Sequence, residues 1–171
     1  VANTPGSFTT VEIGIGDCGI LPSRNQSGRH GVSSSQSPDN QELKKWIDEA
    51  GISSKIYLLG QRSDVPDILP ALDVFCLSST GEGFPNVLGE AMACGVPCAV
   101  TDAGVSAEVV GDTGEVAPRR NPEQLAAAMD KLLALSNSER QALGVRARAR
   151  VLEKFEIGKI TQTYEQMYDE H

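Results

Sequence analysis

Two carboxylates offer the most informative chemistry in the sequence. Glu82 and Glu90 lie eight positions apart, and the residues between them begin with Gly-Phe-Pro. Because proline is favoured at the first position of a helix, the spacing predicts a helix that begins near Pro85, with Glu82 in the loop before it. The first N–H groups of a helix lack carbonyl partners, so those of residues 86–88 would form an anion site that suits a phosphate.

The two carboxylates would flank this anion site. Glu90 lies about one and a half turns into the predicted helix, about 8 Å along its axis, and helical side chains lean back toward the N-terminus. Such an arrangement suits a ligand with a central diphosphate and a polyol on each side, such as a nucleotide-sugar. On spacing alone, chance is a competing explanation, because helix N-termini attract glutamate through the helix dipole.

The elements that must position these residues alternate between strands and helices. Short apolar runs bounded by turn residues predict strands buried on both faces, at residues 11–15, 55–59, 73–77, 97–101 and 114–117. Amphipathic periods predict helices at residues 43–50, 85–94, 125–133, 143–155 and 157–168. This order predicts an α/β fold with a doubly wound, Rossmann-like parallel sheet, in which ligands bind at the carboxyl ends of the strands.

Composition argues against several classes of function. The 171 residues carry 15 lysines and arginines and 23 aspartates and glutamates, a formal net charge of −8. This charge disfavours a duplex nucleic-acid binder and a polybasic membrane anchor, and no apolar run approaches the ~18–20 residues that cross a bilayer. Cys94 and Cys98 lack a nearby histidine or third cysteine, so we expect core packing and no metal. We expect a cytoplasmic protein with reduced thiols, at most peripheral to the inner face of a membrane.

Several segments outside the two-glutamate motif carry weaker expectations. Residues 22–40 hold one aliphatic residue among many polar ones, a composition typical of a disordered or mobile insertion. Trp46 is expected in the core of its helix. Arg146, Arg148 and Arg150 fan around a helix, so we expect a solvated surface there. Thr101 and Gly104, at the end of the fourth predicted strand, are assigned no specific role.

The stretch EGFPNVLGEAMACGVPCAVTDAG closely resembles the signature of retaining glycosyltransferases of family 4, or group 1, which have the two-domain GT-B fold. In that family two glutamates are separated by seven residues, with Gly-Phe-Pro after the first. The flanking runs LLGQRSDVPDILPALDVFCLSS and GDTGEVAP are similar too. The resemblance extends from residue 55 to the C-terminus, more loosely over residues 11–16, and is nearest to bacterial exopolysaccharide and lipopolysaccharide enzymes.

The resemblance implies roles for the side chains. Glu82 would be the catalytic residue and contact the donor sugar near its reacting carbon, and Glu90 would bind the ribose hydroxyls. Arg62 and Asp64 lie in the loop that would meet the nucleobase, although the two could simply pair with each other. Gly16 would let the backbone approach the nucleotide closely. Retaining chemistry leaves open whether Glu82 is a nucleophile or the acceptor attacks on the same face as the leaving group.

The resemblance also implies roles for the backbone between the glutamates. One set of residues would line the sugar pocket: Gly83, Phe84 and Pro85. A second set would hold the diphosphate through its amides: Asn86, Val87 and Leu88. The family uses no dedicated metal or cofactor, so a UDP- or GDP-sugar would be the donor, with basic side chains and the helix dipole left to neutralise its diphosphate.

The sequence departs from the family in what it contains. A whole enzyme has an N-terminal acceptor domain, and its donor domain begins with a strand–helix unit whose Arg and Lys clamp the diphosphate. We find no counterpart, so residues 1–171 are expected to be one N-terminally incomplete donor domain that transfers no sugar alone. The expected function of the parent is hexose transfer to a surface-polysaccharide acceptor. Two alternatives stay open: a non-catalytic nucleotide-sugar-binding module, and a nucleotide-sugar epimerase of the same fold.

Overall fold

Six parallel strands form one sheet at the centre of the protein. The computed structural model describes residues 9–14 and 28–33 as backbone, and residues 41–59, 62–156, 158 and 161. The strands are β1 (Thr9–Gly14), β2 (Gly28–Ser33), β3 (Ile56–Leu58), β4 (Val74–Leu77), β5 (Cys98–Thr101) and β6 (Gly114–Ala117). Their order is β3-β2-β1-β4-β5-β6, and each neighbouring pair is parallel. Strand order reverses between β1 and β4, where sheets of this kind bind ligands.

Helices cover both faces of the sheet. They are α1 (Gln41–Glu49), α2 (Val65–Ile68), α3 (Asn86–Ala93), α4 (Ser106–Val110), α5 (Pro122–Ala134) and α6 (Asn137–Lys154). Two of them start at well-formed caps. Asn121 accepts a hydrogen bond from the Gln124 amide at the start of α5, and Ser136 forms a capping box with Glu139 at the start of α6.

The core has two layers, one on each side of β4 and β5. On one side Phe75 packs with Leu88 and Met92 of α3, in a cluster that also includes Val151 of α6. On the other side Val74 packs in a cluster with side chains of α5. All four residues of β4 and all four of β5 are buried. These strands are therefore apolar on both faces, as expected for the middle of a parallel sheet.

The predicted α/β fold is confirmed, and the structure corrects its details. Strand β2 lies within residues 22–40, so the prediction of an unstructured insertion is wrong at Gly28–Ser33; the rest of that segment lies outside the described residues. Strand β2 exists because its backbone pairs with β1 and β3, an interaction that composition does not reveal. The short helices α2 and α4 were not predicted. Trp46 is 44% exposed, because Leu43 and Ile47 form the buried face of α1; its predicted core position is wrong.

Candidate active site

The loop from β4 to α3 carries the first of the two predicted carboxylates. It leaves the carboxyl end of β4 at Ser78 and reaches α3 through Pro85. Helix α3 begins at Asn86, one residue after the predicted start, because Pro85 is a non-helical N-cap with φ −79° and ψ 89°. Among the described residues, no side chain caps this helix end. Its amides therefore face the carboxyl edge of the sheet without a side-chain acceptor.

Of the three amides predicted to bind a diphosphate, one is used within the protein. The Leu88 N–H donates to the Pro85 carbonyl at 3.0 Å, and the Gly89 N–H donates to the same oxygen at 3.4 Å. The amides of Asn86 and Val87 precede these bonds in the first turn. The amides of Asn86 and Val87 are therefore the ones left for the predicted diphosphate contact, which stays a prediction for all three residues, while the fully buried Leu88 side chain fixes α3 in the core.

Glu82 is half-buried at the same edge, and a hydrogen bond from Ser79 holds its carboxylate. The Ser79 hydroxyl donates to Glu82 Oε1 at 2.5 Å. Ser79 is only 1% exposed, and its own carbonyl accepts a hydrogen bond from the Thr101 hydroxyl at 2.5 Å. The end of β5 thus holds the end of β4, which in turn holds the carboxylate.

Gly104 brings the chain after β5 against the Glu82 peptide. A Cβ at Gly104, whose φ is +56°, would lie 2.0 Å from the Glu82 carbonyl oxygen. Only glycine allows this approach, because both the backbone conformation and the contact exclude a side chain. Sequence reasoning missed Ser79, Thr101 and Gly104. The available signals were the Ser-x-x-Glu spacing and the place of the other two at the carboxyl end of β5.

Glu90 lies within α3, whereas Glu82 precedes the helix, so the two glutamates lie on either side of the helix N-terminus along the chain. Its side chain is exposed, and no hydrogen bond or ion pair holds it among the described contacts of α3. The carboxylate is therefore accessible to a ligand. Its contact with a ribose stays a prediction.

Phe84 closes one side of the loop. Its ring is 45% exposed and packs at a tilt against Phe155, just after α6, with 5.6 Å between ring centroids. The neighbouring Gly83 is exposed, with open space where a side chain would be. The loop between Glu82 and α3 is thus anchored by Phe84 and by the buried Pro85, and it leaves room for a ligand at Gly83.

Arg62 and Asp64, predicted near the nucleobase, pair with each other. The Arg62 Nε donates to Asp64 Oδ1 at 2.7 Å, and Nη2 donates to Oδ2. The hydrogen bond from Arg62 lowers the pKa of the Asp64 carboxyl, and the same bond raises the pKa of Arg62. This is the local pair that the sequence left open, and contact with a base stays a prediction. Gly16 lies outside the described residues.

The arginines of α6 fix the far ends of two helices, which corrects the expectation of a purely solvated surface. Arg148 donates to the Ala93 carbonyl at the end of α3. Arg150 donates to the carbonyls of Val109 and Glu108 at the end of α4, at 2.9 and 2.6 Å. A guanidinium satisfies the free carbonyls of a helix C-terminus and complements its negative dipole end. Helix α6 therefore supports α3 from the end opposite the anion site.

The described residues show neither a metal-binding cluster nor a membrane-spanning helix. No group of three or more His, Cys, Asp or Glu side chains in the described part of the chain could hold a metal ion. Within the same residues, no helix combines the length and apolar character that a membrane span requires.

Solved structures that superpose on most of this chain include GT-B glycosyltransferases. Anabaena Alr3699/HepE in complex with UDP superposes on 96% of this chain and 49% of its own, with a TM-score of 0.78 and 21% identity. Sucrose-phosphate synthase from Thermosynechococcus elongatus superposes on 98% of this chain and 47% of its own, with a TM-score of 0.78 and 20% identity. The doubly wound sheet with its β4–α3 loop is therefore one domain of the GT-B type.

The chain belongs to the family described as glycosyl transferases group 1, whose sequence model matches residues 18–150. N-acetyl-alpha-D-glucosaminyl L-malate synthase of Bacillus anthracis is 38% identical over 119 residues, which cover 68% of this chain and 31% of that protein. The lipopolysaccharide core biosynthesis mannosyltransferase LpsB of Rhizobium meliloti is 41% identical over 69 residues, 40% of this chain and 20% of that protein. The chain thus spans about a third or less of these two relatives.

Proposed function

We propose that this chain is the donor-binding domain of a retaining glycosyltransferase, which binds a UDP- or GDP-sugar and works with an acceptor-binding domain to transfer a hexose to a surface polysaccharide. One observation carries the proposal: the uncapped N-terminus of α3 lies at the carboxyl edge of the sheet, with Glu82 before it and Glu90 behind it. Membership of group 1 supports it. Structures of HepE in complex with UDP and with UDP-glucose add support for this ligand class.

The diphosphate would bind at the first turn of α3. The amides of Asn86 and Val87 would donate to its oxygens, and the positive end of the helix dipole would stabilise its charge. Both contributions strengthen as the leaving diphosphate gains negative charge, so they favour cleavage of the bond to the sugar. Because the chain carries a net charge of −8, we expect the domain alone to bind a nucleotide weakly.

The sugar would lie between the Glu82 carboxylate and the open space at Gly83. Glu82 would accept hydrogen bonds from sugar hydroxyls near the anomeric carbon, which orients the sugar over the diphosphate. In same-face attack, the bond from the anomeric carbon to the diphosphate breaks, and the acceptor oxygen forms its bond from that side. The acceptor proton then passes to the departing phosphate oxygen. Glu90 would hold the ribose through its hydroxyls.

Titration calorimetry of the 171-residue chain with UDP, GDP, UDP-glucose and GDP-mannose tests this proposal. We expect saturable binding of one nucleoside diphosphate and of its sugar conjugate, with no response to the other base. Absence of binding to all four would contradict it. A sugar-transfer assay of the 171-residue chain tests the proposed need for an acceptor-binding domain. Sugar transfer by these residues alone would refute that need.

A further inference from the structure

We propose that Ser79, Thr101 and Gly104 are positioning residues that set the Glu82 carboxylate for the donor sugar. We call these three residues the Glu82 tether. The inference deepens the proposed function and rests on it, since Glu82 must contact the sugar for its position to matter. Each member of the tether makes a different contact, and none of them needs to touch the ligand.

Ser79 fixes the carboxylate itself. Its hydroxyl donates to Glu82 Oε1 at 2.5 Å, and at 1% exposure it does not exchange this partner for water. The bond engages Oε1, so Oε2 is the oxygen that the described contacts leave to a ligand hydroxyl. A glutamate with one oxygen held in place loses less conformational freedom when it binds a sugar. Ser79 thus prepares Glu82 for its ligand before the ligand arrives.

Thr101 fixes Ser79. Its hydroxyl donates to the Ser79 carbonyl at 2.5 Å and lies 3.3 Å from the Leu77 carbonyl. The Leu77 carbonyl belongs to the last residue of β4, which pairs with Val100 of β5, and the Ser79 carbonyl lies two residues beyond the strand. The buried Thr101 side chain therefore continues the connection between the two strands where their backbone ladder ends. It determines where the chain leaves the sheet toward Glu82.

Gly104 limits where the Glu82 peptide can lie. A Cβ at this position would meet the Glu82 carbonyl oxygen at 2.0 Å, its carbon at 2.8 Å and the Gly83 carbonyl oxygen at 3.1 Å. All three atoms are backbone, so a side chain could be accommodated only by moving the loop. The peptide is thus enclosed between β4 and the turn after β5, and the side chain of Glu82 starts from a fixed point.

The test compares the affinity ratio of UDP-glucose to UDP, or of GDP-mannose to GDP if that base binds. This ratio isolates contacts with the sugar. Ser79→Ala should lower the ratio about tenfold, because a hydrogen bond to a charged group is lost. Glu82→Gln should lower it by a similar factor, and the double variant should lose no more than Glu82→Gln alone. Affinity for the nucleoside diphosphate should stay within about twofold of the wild type in each case.

Thr101→Val and Thr113→Val form a matched pair. Thr113 is also 4% exposed and donates its hydroxyl to a backbone carbonyl, that of Val110 at 2.7 Å, but this carbonyl belongs to the end of α4 and not to the Glu82 loop. Thr101→Val should lower the sugar ratio about fivefold, whereas Thr113→Val should leave it unchanged at a similar cost in stability. Thr101→Ser, which keeps the hydroxyl, should restore the ratio.

Hydrogen–deuterium exchange of the ligand-free chain gives a readout that needs no nucleotide. Gly104→Ala should speed exchange in residues 80–85 but not in α5. If Glu82→Gln lowers the sugar ratio while the Ser79 and Thr101 variants leave it intact, the tether is refuted and the donor site stands. Equal losses for the nucleotide and its sugar conjugate would also refute positioning. If no nucleotide binds, the proposed function fails, and unchanged exchange in Gly104→Ala would then refute the tether separately.

Discussion

Replacement of Gly144 by alanine should destabilise this domain, against the usual effect of that change in a helix. Within a helix, alanine is more favourable than glycine by about 1 kcal/mol. Gly144 lies inside α6 where this helix crosses the C-terminal turn of α3 at Gly95. The packing of these two helices decides the sign, and the same packing supports the helix that carries the anion site.

The magnitude follows from the contact. A Cβ at Gly144 would lie 1.9 Å from the Gly95 carbonyl oxygen and 2.8 Å from its carbon. To reach ordinary van der Waals distance, α6 must move away by about 1.5 Å. Overpacking costs about 1–3 kcal/mol, and because this clash is with backbone atoms that cannot rotate away, we take the upper part of that range, about 2–3 kcal/mol, against a helical gain of about 1 kcal/mol. We expect a net loss of about 1–2 kcal/mol, or a Tm lower by roughly 3–6 °C in a domain of this size.

Gly89→Ala is the matched control, because Gly89 lies in α3 on the same side of the protein. Its Cβ would have Val151 Cγ2 at 3.8 Å and Phe84 Cε1 at 4.0 Å, which are ordinary contacts. This variant should gain up to about 1 kcal/mol. Urea denaturation followed by far-UV circular dichroism measures both. The argument is refuted if Gly144→Ala is as stable as the wild type, or if the two variants shift stability in the same direction.

Three further predictions concern stability and reactivity. Arg150→Met should cost about 1–2 kcal/mol in urea denaturation, because two carbonyls at the end of α4 lose their donor. The hydrogen bond from the α6 capping serine lowers the pKa of Glu139, so its stabilisation is present at neutral pH and is lost as the pH falls through the folded-state pKa. The Tm difference between Glu139→Gln and the wild type should therefore narrow as the pH falls below the ordinary glutamate pKa of about 4.3, and close once the pH is below the lowered folded-state pKa. Iodoacetamide at pH 8 should label the exposed Cys94 in the native state, but should label Cys76 and Cys98 only after unfolding. Burial raises the pKa of the Cys76 and Cys98 thiols, that of Cys76 to about 12. Mass spectrometry of the digested protein identifies which cysteines are labelled.

Local sequence was enough to predict most of the sheet. Strands β4, β5 and β6 were predicted to within one residue, because apolar runs that end at turn residues leave little choice. Strand β2 could not be predicted, because the run Gly-Arg-His-Gly-Val-Ser has two glycines and one aliphatic residue. Its conformation depends on hydrogen bonds to strands on both sides. The position of Trp46 could not be predicted either, because the apolar periodicity of α1 does not show which of Leu43, Trp46 and Ile47 faces the solvent.

The parts of the candidate site that are set by residues close together in the sequence could be predicted. The start of α3 followed from Pro85, and the placement of Glu82 in the preceding loop followed from it. The roles of Thr101 and Gly104 depend on contacts across 22 residues, and no local pattern marks them. The hydrogen bond from the Leu88 amide to the Pro85 carbonyl, which closes the first turn of α3, was likewise not evident from the sequence. Sequence thus located the loop, and the structure showed what holds it.

The central claim is that the carboxylates around the first turn of α3 bind a nucleotide-sugar. Titration calorimetry of the wild type, Glu90→Ala and Glu123→Ala with the preferred nucleoside diphosphate tests it most directly. Glu123 is an exposed glutamate near the N-terminus of α5, so it controls for the loss of one negative charge from an exposed helix surface. We expect Glu90→Ala to weaken binding about tenfold, through lost bonds to the ribose, and Glu123→Ala to leave it unchanged. Unchanged affinity in Glu90→Ala, or an equal loss in both variants, would contradict the assignment of this site.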